Sequence, residues 1–203
     1  MLARRQAELD AGAEPIGWKV GFGSPGGMAA LGIDRPLVGY LTAGRRLEPG
    51  AMVPIGDWTR PLLEAEVAAY IGPDLSVVGW ALAIELADLD HPPDDIEQIL
   101  ADNVYHRHVL LGDRVPVLPS DRGVTVRRDG VEVAATDDPD ELVGELGWVV
   151  ATTASTLAAA GGALRAGDVV ITGSMVPPID VAPGEAWRVV ANGLGELDVR
   201  LTH

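Results

Sequence analysis

Apolar residues along this chain come in short runs broken by Gly, Pro, Asn and Asp, at strand length rather than helix length. The spacing predicts strands at 16–22, 76–87, 104–111, 168–174, 186–191 and 196–201, the last two joined around Asn192-Gly193. Short strands are also expected across 37–56, linked by the Glu48-Pro49-Gly50 turn. Val124, Val126, Val131 and Val133 alternate around Asp129-Gly130, a two-residue hairpin signal that sets Arg127 opposite Glu132. Helical spacing is rarer. It predicts a short helix over 3–11 ending at Gly12, a short apolar helix at Met28–Leu31 within the Gly-rich 24–32, and a helix opened by Pro92-Pro93-Asp94-Asp95 and running to about Ala101. One long helix is expected over 139–161, ending at Gly161-Gly162. Many short strands with few helices make a β-rich α+β fold in a single domain, residues 1–203.

Residues 60–72 read two ways. Leu, Glu and Ala favour a helix, but Pro61 and Gly72-Pro73 confine the run to strand length. As a strand, it places Glu64 and Glu66 on one face and Leu63, Ala65, Val67 and Ala69 on the other, towards a core. A third acid, Glu85, sits inside the apolar run Trp80–Leu86. Adjacent carboxylates repel unless they face water, share a proton or hold a cation. Two readings stay open at this point: a hard-oxygen site for Mg²⁺ or Mn²⁺, or a solvated strand face plus one acid paired to Arg.

Composition narrows the field. Net charge is −15, so nucleic acid and anionic membrane surfaces are poor partners. There is no cysteine, which removes disulfides, thiolate chemistry and Cys-based zinc sites. No leader-like apolar run follows Arg4-Arg5, no run is read as a membrane span, and the cytoplasm is the expected compartment. Fourteen arginines share the chain with one lysine, Lys19, set among glycines and bulky apolar residues in Ile16–Phe22. A compact ammonium with a tunable pKa is something arginine cannot supply.

Five segments, in order, carry a resemblance. They are Gly17-Trp18-Lys19-Val20-Gly21-Phe22, Arg60-Pro61-Leu62-Leu63-Glu64-Ala65-Glu66-Val67-Ala68, Ala83-Ile84-Glu85, Ala101-Asp102-Asn103 and Gly167–Ser174. Together they resemble the 2-keto-4-pentenoate hydratase branch of the fumarylacetoacetate hydrolase superfamily. The resemblance implies a mixed β-roll or sandwich with a few flanking helices. It also implies Mg²⁺ or Mn²⁺ held by Glu64, Glu66 and Glu85, and a small 2-oxo acid substrate chelated through its carboxylate and keto oxygen. Lys19, Asp102 and Asn103 would then be catalytic, and Thr172, Gly173, Ser174 and His106 would contact substrate. A homo-oligomer is implied as well.

The implied reaction is a lyase step of hydratase or decarboxylase type, through a metal-stabilised enolate. Leu37 or Val38 stands where many hydratases carry an acid, and Val104-Tyr105-His106-Arg107-His108 follows Asp102-Asn103 where they carry small residues. The first departure tilts the reading towards a decarboxylase or another lyase. The 104–108 segment also motivates a repurposed member that cyclises or isomerises a larger substrate. A non-catalytic partner subunit is the third alternative.

Overall fold

The computed structural model describes residues 1–203. In chain order it contains α1 (Leu2–Asp10), β1 (Pro15–Gly21), α2 (Pro25–Leu31), β2 (Leu37–Thr42), β3 (Arg46–Leu47), β4 (Met52–Pro54), β5 (Pro61–Ile71) and β6 (Val77–Asp88). There follow α3 (Ile96–Ala101), β7 (His106–Leu111), β8 (Val124–Arg128), β9 (Val131–Thr136), α4 (Asp140–Val143), α5 (Leu146–Ala159), β10 (Val169–Ser174), β11 (Ile179–Asp180), β12 (Ala186–Ala191) and β13 (Gly195–Thr202). The ambiguous run is strand β5, paired antiparallel along its whole length with β6.

Two sheets share the core. The larger runs β2-β1-β10-β5-β6-β7-β3, with β11 on the end of β5, and the smaller runs β4-β13-β12-β8-β9. The two-residue periodicity of β5 and β6 gives each strand two buried faces. Leu63, Ala65, Val67 and Ala69, with Leu82, Ile84 and Leu86, join the main core beside Trp187, Val189, Leu197 and Leu201 of the smaller sheet and Val149 and Leu157 of α5. The opposite face carries Ala68, Ala81 and Ala83, packed with Leu41, Val109 and Ile171. Small side chains let the larger sheet curl tightly over that face. Further along it come Glu64, Glu66 and Glu85, and beyond them Leu62 and Ala87 in a third apolar cluster.

Several expectations are corrected. The 139–161 helix is two helices: Gly144, at φ 82° and ψ −170°, breaks it, and the Glu145 carboxylate caps α5 by accepting from Gly147 N and Trp148 N. Together 140–159 reach the length and mean hydropathy of a membrane span, which the apolar-run reading missed. The break at Gly144 and the buried Leu146, Val149, Val150 and Leu157 make α5 a core helix. Pro92-Pro93 precede α3, whose cap is Asp95, accepting from Glu97 N and Gln98 N. The hairpin forms with Arg127 opposite Glu132, yet Val131 and Val133 are exposed on β9, the edge strand of the smaller sheet. The two-residue β11 gave no periodic signal.

Candidate active site

Glu64 and Glu66 leave β5 on one face, and Glu85 faces them from β6, where the register sets Glu64 opposite Glu85. One carboxylate oxygen from each lies within 4.8 Å of the others. Lys19 enters from β1, its Nζ 2.8 Å from Glu85 Oε1, and it donates to the carbonyl oxygen of Val104 at 3.0 Å. Both Lys19 and Glu85 are fully buried. Glycine at position 39 of β2 makes room for the lysine stem. A Cβ there would sit 2.8 Å from Lys19 Cγ and 2.9 Å from Asn103 Oδ1.

His106 Nδ1 lies 2.8 Å from Glu85 Oε1. Lys19 and His106 pull Glu85 down to about 2 against the upward push of burial. Beside that anion the imidazole donates from Nδ1, and burial lowers its own pKa, so it is neutral. Burial alone would lower Lys19, but Glu85, Glu64 and Glu66 raise it above its ordinary value. In the metal-free chain the three carboxylates thus favour the ammonium form of this amine. Glu64 is pushed up to about 7 by burial and by the Glu85 charge, and Glu66 rises well above the ordinary range for the same reasons.

The donor set fits a hard divalent cation. Glu66 Oε2 accepts from Gly173 N at 2.8 Å, a backbone amide presented by a residue at φ 101° where a side chain would be strained. Glu66 Oε1 and Glu85 Oε2 are buried and have no hydrogen-bond partner. Buried carboxylate oxygens without donors are costly, and these two acids converging with the half-buried Glu64 supply the oxygen ligands that Mg²⁺ and Mn²⁺ take.

A cavity of about 300 Å³ opens above this floor, lined by Lys19 and Glu64 at its base and by Thr172, Gly173 and Ser174 at one side. Thr172 Oγ1 donates to the Val67 carbonyl at 3.0 Å and Ser174 Oγ to the Val176 carbonyl at 2.6 Å, so both hydroxyls are engaged in holding the wall. Over 210 aligned residues the chain is 30% identical to the 2-keto-4-pentenoate hydratase of Burkholderia vietnamiensis, covering 94% of this chain and 79% of that relative. The chain belongs to the 2-keto-4-pentenoate hydratase branch of the fumarylacetoacetate hydrolase superfamily. No family model matches it. Two solved structures share the fold of this branch member. One is 4-oxalocrotonate decarboxylase from Pseudomonas putida G7, complexed with magnesium and adipate (TM-score 0.89, 23% identity, 97% of this chain and 81% of that one). The other is fumarylpyruvate hydrolase from Pseudomonas aeruginosa, complexed with Mn²⁺ and pyruvate (TM-score 0.70, 21% identity, 93% and 89%).

Three residues expected at the site, Asp102, Asn103 and His106, are not part of the cavity lining. Asp102, the C-cap of α3, pairs outside the cavity with Arg107 at 3.1 Å and Arg4 at 3.3 Å. Asn103 is buried but does not line the cavity. Its amide behaves like a strand neighbour, accepting from Tyr40 N at 2.7 Å and donating to Tyr40 O at 2.8 Å. It thereby ties β2 to the turn before β7. That turn holds Asn103, Val104 and Tyr105 at φ 59°, 55° and 62°. Left-handed backbone costs roughly 1–2 kcal/mol per residue, and here it aims the Val104 carbonyl at Lys19. His106 is bonded to Glu85 and lies outside the cavity lining. A register shift between Leu86 and Ala87 leaves Arg107 extra, so His106 turns to the carboxylates while His108 turns away to stack on Trp58, ring centroids 6.0 Å apart. The outer walls, Phe22, Leu62, Leu89, Tyr105, Leu142, Val143, Pro177 and Pro178, were not read from sequence. They are scattered apolar residues with no motif of their own.

Proposed function

We propose that this protein is a divalent-metal-dependent lyase, of hydratase or decarboxylase type, acting on a small 2-oxo acid. The observation that carries the reading is the trio Glu64, Glu66 and Glu85, with two unpartnered buried oxygens, beside the ammonium of Lys19 at the base of a cavity. Glu64, Glu66 and Glu85 would hold Mg²⁺ or Mn²⁺, which when bound supplies Lewis-acid polarisation of a keto oxygen. Lys19 sits beside the same base, and its ammonium would place a positive charge next to an anionic substrate. Its bonds to Glu85 and to the Val104 carbonyl keep it from swinging away. His106 positions Glu85 by donating to it. The Gly173 amide orients Glu66, and Thr172 and Ser174 shape the wall beside it. Asp102 and Asn103 act through structure, Asn103 by aiming the turn that faces Lys19.

We place the protein in the cytoplasm by likeness to the bacterial hydratases and decarboxylases it matches. A homo-oligomer completes the reading, since the exposed Val131 and Val133 leave an apolar edge on β9. Sedimentation equilibrium checks that part. For the reaction, the test is Mg²⁺-dependent consumption of 2-oxo-4-pentenoate and of oxaloacetate. Turnover of either supports the lyase; metal binding with no turnover of either contradicts it, and absence of metal binding favours a non-catalytic partner subunit.

A further inference from the structure

Helix α1 is nine residues long, contributes no fully buried residue and has no side-chain cap at its start. Such a helix does not persist alone in water, so its contacts with the rest of the chain hold it. The polar ones converge on a single atom. Glu8 Oε1 accepts from the phenol of the fully buried Tyr40 at 2.5 Å, and it pairs with Arg4 Nε at 3.4 Å and Arg45 Nη2 at 4.0 Å. Both guanidiniums reach on to the left-handed turn. Arg4 Nη1 donates to the Ala101 carbonyl at 2.9 Å, just before it. Arg45 Nη1 donates to the His106 carbonyl at 3.3 Å, just after it, where Arg107 also donates at 3.2 Å. Tyr40 is the residue whose main chain the Asn103 amide grips from inside. One carboxylate oxygen thus joins both ends of the turn to the strand on which the turn rests.

The middle of the turn touches the base of the cavity. An ammonium has three N–H donors. Lys19 gives one to Glu85 Oε1 and one to the Val104 carbonyl, which leaves the third for a ligand in the cavity that Lys19 lines. Asn103, Val104 and Tyr105 all hold left-handed backbone, a conformation that persists in non-glycine residues only where the surroundings impose it. We infer that Glu8 is a positioning residue for Lys19: its carboxylate locks the two arginines and the phenol that keep the Val104 carbonyl on the ammonium. Isolated surface ion pairs contribute little. Here three donors share one oxygen, and one of them belongs to a buried side chain. The bearing on turnover rests on the lyase reading above; the chain of contacts does not.

The protein has a single lysine, so lysine labelled with ¹⁵N at Nζ gives one side-chain ammonium resonance, that of Lys19, in the metal-free full chain. The quantity measured is the rate at which its protons exchange with water. Glu8→Ala should raise that rate at least about fivefold by loosening the turn, with α1 itself preserved because alanine favours helix. Glu8→Gln keeps an acceptor for Tyr40 but loses the charge, and should raise the rate less. Asp198→Ala, which breaks the Arg188 pair on the smaller sheet, should leave it unchanged. An unchanged rate in Glu8→Ala overturns the positioning role, and so does an equal rise in Asp198→Ala, which would mean general loosening. Should Glu8→Ala not fold, Glu8→Gln decides: a rate equal to that of the unaltered chain overturns the role. Neither substrate nor metal enters this measurement, so failure of the lyase reading shows separately, as absent Mg²⁺-dependent turnover with the exchange result intact.

Discussion

Asn103→Ala removes the clamp that holds the left-handed turn against β2. The side chain is 1% exposed and makes two short hydrogen bonds to the main chain of Tyr40, itself fully buried. Alanine leaves the Tyr40 N–H and C=O without partners where water cannot replace them, at about 1–3 kcal/mol each. It also puts a residue less tolerant of left-handed backbone at φ 59°. Two such losses span about 2–6 kcal/mol, and the middle of that range, about 3–5 kcal/mol, is a large part of the stability of a domain this size. At roughly 2–4 °C per kcal/mol, the midpoint should fall by about 6–20 °C. Urea unfolding of both proteins, followed by tryptophan fluorescence, gives the difference directly. The reasoning is refuted if Asn103→Ala costs less than about 1 kcal/mol with an unchanged m-value, since the turn would then hold itself.

Glu85→Gln removes the carboxylate bonded to both Lys19 and His106, leaving Glu64 and Glu66 as the remaining counter-charges, and should cost about 1–3 kcal/mol by urea unfolding; a neutral result would show that the pair contributes nothing to the fold. Gly39→Ala should destabilise by about 1–3 kcal/mol, because the new methyl meets Lys19 Cγ at 2.8 Å and Asn103 Oδ1 at 2.9 Å; a circular-dichroism melt with an unshifted midpoint counts against that crowding. Glu64, raised from 4.5 to about 7, keeps a proton in the folded metal-free chain that the unfolded chain has lost, so its stabilising contribution is complete below about pH 4.5 and fades as pH rises through 7. Metal-free protein should therefore lose stability between about pH 4.5 and 7, and Glu64→Gln should reduce that slope; an unchanged slope removes Glu64 as its source.

Much of the base of the site was legible because strand periodicity is a strong constraint. Once Pro61 and Gly72-Pro73 limited 60–72 to a strand, Glu64 and Glu66 had to share a face, and a lone acid inside Trp80–Leu86 needed a partner. Lys19 stood out for the same reason, a charge among residues that avoid water. The strands themselves were largely recovered from turn residues and short apolar runs. What escaped depends on tertiary detail. The face of His106 is set by one extra residue in a ladder. Asn103, expected near the chemistry, serves the backbone through a contact 63 positions away in sequence. Gly144 looked harmless inside a helical pattern until Glu145 supplied a fresh cap. The cavity walls come from segments that meet only in the folded chain, so no spacing announces them.

Titration of the metal-free protein with Mn²⁺, read by calorimetry and by the loss of the free-ion paramagnetic signal, addresses the three glutamates most directly. One ion should bind per chain, with proton release as Glu64 and Glu66 ionise, and Glu66→Gln should weaken binding at least about tenfold. Full-affinity binding in Glu66→Gln, or no binding to the unaltered chain, would contradict the convergence of Glu64, Glu66 and Glu85 on a single cation.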